Sequence, residues 1–78
     1  MIEFYTVENT GWSGGISWFA YGGTVTNPHR FTSSEEATVY ATRSKELMND
    51  PNTLWRIVHT IIERTENKEV STRIWTMI

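Results

Sequence analysis

A short segment rich in glycine and serine gives the closest match to a catalytic motif in this chain. Residues 11–15, GWSGG, have the G-x-S-x-G spacing of a serine nucleophile held on a sharp turn. That motif works only at a strand-to-helix turn, where a much larger α/β sheet also holds a histidine and an acid. Here a strand-like segment follows the glycines, which is typical of a hairpin loop. We therefore expect no serine hydrolase.

The remaining candidates for metal binding or acid–base catalysis lack partners at a useful spacing. His29 and His59 are far apart and the chain has no cysteine, so a zinc site is not expected. Helix capping accounts for Glu35 and Glu36, and a solvated hairpin end accounts for the glutamates within residues 63–69. We therefore expect no catalytic residue, no metal and no cofactor, and we predict that the protein is not an enzyme.

Composition narrows the functional classes further. The 78 residues include nine carboxylates and seven cations, which gives a net charge of −2. Nucleic-acid binders usually carry a basic stripe, and a DNA mimic needs dense acidic rows; neither pattern is visible, so direct nucleic-acid binding is not expected. Four tryptophans are more than the thin core of so small a domain can easily hide.

The sequence also gives no indication of a targeting signal or a membrane span. The first residues, MIEFYTVE, contain no basic region followed by an apolar run, and no stretch approaches about 18 consecutive apolar residues. The absence of cysteine favours a reducing compartment. We expect a single compact domain over residues 1–78, located in the cytoplasm and not associated with a membrane.

One helix is predicted over Thr32 to Asn49, and the rest of the chain must pack on it. Ser33 and Glu36 have the spacing of a capping box, and Pro51 disfavours helical geometry in the residue before it. Apolar or small residues recur at helical spacing and predict a buried face made of Ala37, Tyr40, Ala41, Ser44, Leu47 and Met48.

Two hairpins are predicted to flank the helix. The first joins a strand at Ile2–Glu8 to a strand at Ile16–Tyr21, with a short continuation at Thr24–Thr26. Because glycine weakens a strand, Gly22-Gly23 predicts a bulge or a close backbone approach between the last two segments. The second hairpin follows the helix, and its β-branched and aromatic strands are predicted at Leu54–Thr65 and Val70–Met77.

The turn of the second hairpin decides which side chains share a face. A three-residue loop, Asn67-Lys68-Glu69, pairs Ile62 with Ile74 and Glu63 with Arg73. A two-residue Asn67-Lys68 turn instead places Ile57 and Ile61 with Ile74. We prefer the three-residue loop because it collects the aliphatic side chains on one face.

The preferred register predicts an α+β fold of order ββαββ, a four-stranded antiparallel sheet with the helix packed on one face. Leu54, Val58 and Ile62 are predicted to lie under the helix. The other face, which we call the open face, is predicted to carry Trp55, Ile57, His59, Ile61, Glu63, Arg73, Trp75 and Met77. This is the composition of an interface core rather than of a solvated surface.

A resemblance to a family of small proteins also indicates a binding role. The capped segment FTSSEEA followed by the hairpin WRIVHTIIERTENKEVSTRIW resembles the small accessory proteins encoded by bacteriophages, which include anti-CRISPRs and other inhibitors of host machinery. The resemblance covers residues 31–76, and no residue role is carried over from it. It implies a compact, cofactor-free protein that occupies a surface on a larger host complex.

We therefore expect a non-catalytic protein-binding module that blocks a host protein or complex, such as a defence system, by steric occupation. The predicted partner-binding residues are Trp12, Trp55, His59, Glu63, Arg73, Trp75 and Met77. One alternative is a homo-oligomer that sequesters a nucleotide, with aromatic rings stacked on the base and Arg56, Arg64 or Arg73 on a phosphate. Another is a structural assembly module whose open face is its homodimer interface.

Overall fold

A computed structural model describes residues 1–11, 15–24 and 27–78 of the chain. Its elements are β1 (Ile2–Asn9), β2 (Phe19–Ala20), α1 (Ser34–Met48), β3 (Trp55–Arg64) and β4 (Glu69–Met77). The four strands form one antiparallel sheet in the order β2-β1-β3-β4. The predicted α+β fold of one helix and a four-stranded antiparallel sheet is confirmed.

Helix α1 begins and ends where its local sequence dictates. The Ser33 side chain accepts a hydrogen bond from the Glu36 backbone N–H at 3.1 Å, as predicted for the N-cap. Asn49 ends the helix in the left-handed conformation, with φ of 48°, and its N–H donates to the Lys45 carbonyl.

The buried face of α1 is narrower than predicted. Ala37, Ala41 and Ser44 are buried, whereas Met48 is exposed and Leu47 is 88% exposed. At about 100° per residue, Leu47 lies roughly a quarter turn from the line of Ala37 and Ala41. The prediction of a buried Leu47 and Met48 is therefore wrong. The small residues of the buried face allow the helix backbone to approach the sheet closely.

Strand β2 is much shorter than the predicted Ile16–Tyr21. Only Phe19 and Ala20 pair with β1, and one further hydrogen bond joins the Tyr21 N–H to the Val7 carbonyl. Gly22 and Gly23 then adopt φ of 91° and 73°, which turns the chain away from the sheet. A Cβ at Gly23 would lie 2.5 Å from a backbone oxygen, so the predicted close backbone approach is confirmed. The predicted continuation at Thr24–Thr26 falls mostly outside the described residues.

The β3–β4 register differs from both predicted registers. Arg64 lies opposite Glu69, and the Thr65 N–H donates to the Lys68 carbonyl, so Glu66 and Asn67 form the turn. The Arg64 Nε atom is 2.7 Å from a Glu69 carboxylate oxygen and links the two strands beside the turn.

Both predicted turns lie too far along the chain. In the preferred register Ile62 pairs with Ile74 rather than Ser71, an error of three residues, and this odd number moves side chains to the wrong face. The two-residue alternative is displaced by two residues, so it keeps the observed faces and correctly groups Ile57 and Ile61 with Ile74.

The core lies between α1 and the two central strands. Val7 pairs with Ile57, and Asn9 pairs with Trp55, on the side of the sheet that the helix covers. The buried core consists of Val7, Phe31, Ala37, Ala41, Trp55 and Ile57, with Tyr5, Tyr21 and Tyr40 packed against it. The predicted placement of Val58 and Ile62 under the helix is wrong, since these residues lie on the open face. Leu54 precedes β3 and is exposed, so its predicted burial is also wrong.

A candidate protein-binding surface on the open face

The central strands place alternate residues on the open face in rows that run across the sheet. Arg56 lies between Glu8 of β1 and Met77 of β4. The next rows along the sheet are Thr6, Val58 and Trp75, then Phe4, Thr60 and Arg73, then Ile2, Ile62 and Ser71. The open face therefore alternates charged, aromatic and aliphatic side chains on the side of the sheet opposite α1.

Towards the end of this face where β3 begins lies a group that we call the arginine–tryptophan cluster: Glu8, Trp18, Arg56, Arg73 and Trp75. The Arg56 guanidinium carbon lies 4.2 Å from the centre of the Trp18 ring and 5.0 Å from that of Trp75. Both distances fall within the range of cation–π attraction. Arg56 thus holds one tryptophan on each side and fixes the position of both rings.

Glu8 binds both arginines of the cluster. One carboxylate oxygen accepts a hydrogen bond from Arg56 Nε at 2.7 Å and lies 2.6 Å from Arg56 Nη2, and the other accepts from Arg73 Nη2 at 2.8 Å. The Glu8 and Arg56 side chains are nearly buried, so their ion pair is only weakly screened by solvent. One carboxylate faces two guanidinium groups, which leaves the cluster with a net positive charge and a half-exposed Arg73.

Val58 is completely buried although it lies on the side of the sheet opposite α1. Arg73 stands in the neighbouring row beside Thr60, yet its guanidinium reaches Glu8 on the far side of the Val58 row. Its aliphatic stem therefore crosses that row, as long arginine side chains commonly do over apolar surface. The open face has a packed floor made by side chains rather than by a second layer of secondary structure.

Large apolar side chains remain accessible around this floor. Trp75 is 56% exposed and Met77 and Ile2 are each 51% exposed. Arg30 stacks on the Phe4 ring, 4.1 Å from its centre, and adds a further guanidinium group. Aromatic, methionine and arginine side chains are the types enriched in protein interfaces.

Charge is unevenly distributed between this face and the rest of the chain. Among the residues that the structure describes, the open face carries Arg30, Arg56, Arg64 and Arg73 and the two carboxylates of Glu8 and Glu69. The chain as a whole has two more carboxylates than cations. The cations are therefore concentrated on the open face, and a complementary surface would be acidic.

The helix-covered side has a separate cleft of about 330 Å³ between the helix and β4. It is lined by Tyr5, Ser34, Thr38, Ile57, His59, Ile74, Thr76 and Ile78. His59 stacks on Tyr5 with ring centres 4.3 Å apart, and its Nε2 atom lies 3.6 Å from a Glu3 carboxylate oxygen. That separation is too long for a hydrogen bond.

The structure separates the residues that the sequence predicted for partner binding. It brings Arg73, Trp75 and Met77 together on the open face, as predicted. The predicted positions of the other described residues on that face are wrong: Trp55 is a core residue with 1% exposure, and His59 and Glu63 lie on the helix-covered side. Glu63 lies opposite Val70 rather than Arg73. Trp12 is outside the described residues, so its predicted role stays a prediction.

Sequence reasoning missed Glu8 and Trp18, and it considered Arg56 only as a possible phosphate ligand. A signal for the position of Arg56 was present, because Arg64 and Glu69 flank a possible Glu66-Asn67 turn and can pair across it. That turn would have put Arg56 and Trp75 on one face and Trp55 on the other.

Residues 1–11, 15–24 and 27–78 contain no group of three or more histidine, cysteine, aspartate or glutamate side chains placed to hold a metal ion. Within them, α1 lacks the length and apolar character needed to cross a lipid bilayer. Comparison with protein families, characterised proteins and solved structures finds no match to this chain.

Proposed function

We propose that this protein is a non-catalytic protein-binding module that uses the open face to occupy a surface of a larger protein or complex. The observation that carries the proposal is the exposed Trp75, held in place by the arginine–tryptophan cluster on a face without a helix. A ring that is already positioned loses little side-chain entropy when it binds. Such residues commonly provide the strongest contacts of an interface.

The partner surface is expected to be acidic, with an apolar pocket for Trp75 or Met77. Arg73 is the exposed cation nearest to Trp75 and would pair with a partner carboxylate. Together with the resemblance to phage accessory proteins, this supports an inhibitor that acts in the host cytoplasm. It would block a host complex, such as a defence system, by steric occupation.

Affinity capture from host lysate tests the proposal when it is run on matched variants. Wild-type protein, Trp75→Ala, Arg73→Glu and Leu47→Ala are immobilised in parallel, and the captured proteins are compared. Leu47 is the control because it is an exposed apolar residue on the helix. We expect a host protein that is retained by wild type and Leu47→Ala and lost from the other two. Equal retention by all four proteins would rule out the open face as the binding surface.

The alternative of a nucleotide-sequestering oligomer is less well supported. Arg56 binds Glu8 in a nearly buried ion pair, and Arg64 binds Glu69, so a phosphate at either of these arginines would have to displace a carboxylate. A thermal-shift screen with mono- and dinucleotides tests it directly. We expect no increase in the melting temperature, and a saturable increase would support the alternative instead.

A further inference from the structure

Strand β4 is a long and fully exposed edge of the sheet. It contains nine residues, and every one of them is exposed, including Ile74 on the helix-covered side and Trp75 on the open face. The outer side of β1 is better covered, because Tyr5 exchanges two backbone hydrogen bonds with Phe31 and β2 pairs beyond it. Long apolar edges are ready templates for pairing with another strand.

The hydrogen-bond pattern shows which groups of β4 point outward. A hydrogen bond flanks each end of β4. The Lys68 carbonyl accepts from the Thr65 N–H at one end, and the Ile78 N–H donates to the Trp55 carbonyl at the other. Antiparallel pairing alternates, so the even-numbered residues of this segment face β3. The outward N–H and C=O groups therefore belong to Glu69, Ser71, Arg73, Trp75 and Met77.

We propose that β4 pairs antiparallel with β4 of a second copy of this chain, with Ile74 opposite Ile74 on the twofold axis. In this arrangement Ile74 forms a non-hydrogen-bonded pair, because its own backbone groups face β3. The flanking pairs are Arg73 with Trp75 and Ser71 with Met77, and each exchanges two main-chain hydrogen bonds across the interface. The inference rests on the sheet edge and stands independently of the proposed function.

Self-complementarity favours this register over its neighbours. With Ile74 on the twofold axis, Thr72 also lies opposite Thr76 and Val70 opposite Ile78. Hydroxyl side chains therefore pair with hydroxyl side chains, and apolar side chains with apolar ones. Moving the twofold axis to residue 73 brings two arginines face to face, which is unfavourable. Moving it to residue 75 places Ile74 opposite Thr76 and leaves the aliphatic residues mismatched.

The fold leaves room for the second copy. Helix α1 packs mainly on β3 and β1, so the two helices would be separated by both β4 strands. Paired residues share a face, so the two open faces would become one continuous surface. Arg73 of one copy would then lie beside Trp75 of the other, so each copy contributes a residue to the surface around its neighbour's exposed tryptophan.

Two substitutions test the edge without altering the core. Ser71→Pro removes an outward N–H but none of the hydrogen bonds to β3, as proline requires in an edge strand. Ile74→Lys places two positive charges opposite each other at the twofold axis. Leu47→Lys is the matched control, because it makes the same kind of change at an exposed position on the helix.

Analytical ultracentrifugation over a wide concentration range gives the mass of each protein, with circular dichroism as the check on folding. We expect a wild-type dimer, a Leu47→Lys dimer, and folded monomers for the two edge variants. The dimer Kd should rise about ten- to a hundredfold in Ser71→Pro, because each copy loses one interfacial hydrogen bond. A monomeric wild type, or edge variants that dimerise as well as wild type, would overturn the proposal.

Amide hydrogen exchange of the wild-type protein provides the second readout. Dimerisation should slow exchange at Arg73, Trp75 and Met77, whose N–H groups point outward, with a smaller change at Thr72, Ile74 and Thr76. A dimer without this alternation would place the interface elsewhere and contradict the inference. Loss of host-protein capture alongside a normal dimer would instead contradict only the proposed function.

Discussion

The two tryptophans of the second hairpin show how differently the two sides of the sheet are built. Trp55 is 1% exposed and packs edge-on against Tyr21, 4.9 Å away, within the core. Trp75 is 56% exposed and is held by Arg56. One ring is therefore placed by exclusion from water, and the other by electrostatic attraction at the surface.

This difference separates stability from recognition. On the helix-covered side, small helix residues allow close packing, and apolar burial supplies the main driving force. On the open face, Glu8 and two arginines form a floor that keeps large rings accessible. Substitutions on the first side should therefore affect mainly folding, and substitutions at the exposed rim of the second should affect mainly binding.

The largest loss of stability is expected for Trp55→Ala. Truncating a buried aromatic side chain costs about 3–5 kcal/mol, because it removes apolar contact and leaves a cavity. A chain of this length has a total stability of roughly 4–12 kcal/mol, so the variant should be partly unfolded. Urea denaturation followed by circular dichroism measures the effect, with Trp55→Phe as the milder control. A loss below about 1 kcal/mol would contradict the assignment of Trp55 to the core.

Glu8→Ala should have the next largest effect. It leaves two guanidinium groups near each other without their carboxylate, and we expect a loss of about 2–3 kcal/mol in the free energy of unfolding. Glu69→Ala is the matched control, because its ion pair with Arg64 is exposed and is worth about 0–1 kcal/mol. Equal losses in the two variants, measured by urea denaturation, would show that Glu8 does not organise the open face.

Trp75→Ala should weaken partner binding much more than it lowers the stability of the fold. Losing its contact with Arg56 should cost only about 0.5–1 kcal/mol of stability. Affinity for the captured partner should fall by more than about tenfold, as expected for a central interface residue. Titration calorimetry with the purified partner measures this loss, and Leu47→Ala should leave both quantities unchanged. Unfolding of Trp75→Ala would instead make this ring part of the core.

The smallest effect concerns the turn between α1 and β3, outside both faces. Hydrogen bonds from the Thr53 hydroxyl and the Asn52 backbone N–H hold the pKa of Asp50 below its ordinary value of 3.8. The carboxylate therefore stabilises the fold at neutral pH, and this contribution disappears as the pH falls through the lowered pKa. Asp50→Asn should be slightly less stable than wild type at neutral pH, with the difference shrinking in acid. A difference that grows in acid would contradict this sign.

Local signals in the sequence predicted most of the fold. Ser33, Asn49 and the Gly22-Gly23 pair act through their own backbone conformations, so their positions fixed the helix ends and the break after β2. The second hairpin was harder, because its register depends on a turn without a glycine signal. An error of three residues in the pairing, an odd number, was enough to move Trp55 from the core to the surface.

The arginine–tryptophan cluster depends on still longer-range information. Glu8 and Arg73 are 65 positions apart in the chain, and their contact requires the registers of β1, β3 and β4 together. Trp18 comes from a segment beside the shortest strand, where alternation gives almost no pattern. The open face could therefore be anticipated from the single helix, but its residues could be assigned only from the sheet.

Solvent paramagnetic relaxation of the tryptophan indole N–H signals tests the contrast between the two faces most directly. A soluble gadolinium chelate is added to the uniformly nitrogen-15-labelled protein, and the relaxation rates of the Trp55 and Trp75 indole protons are compared. The structure predicts strong enhancement for Trp75 and almost none for Trp55. Comparable enhancement of both signals, or protection of both, would contradict a core on one side of the sheet and an accessible binding surface on the other.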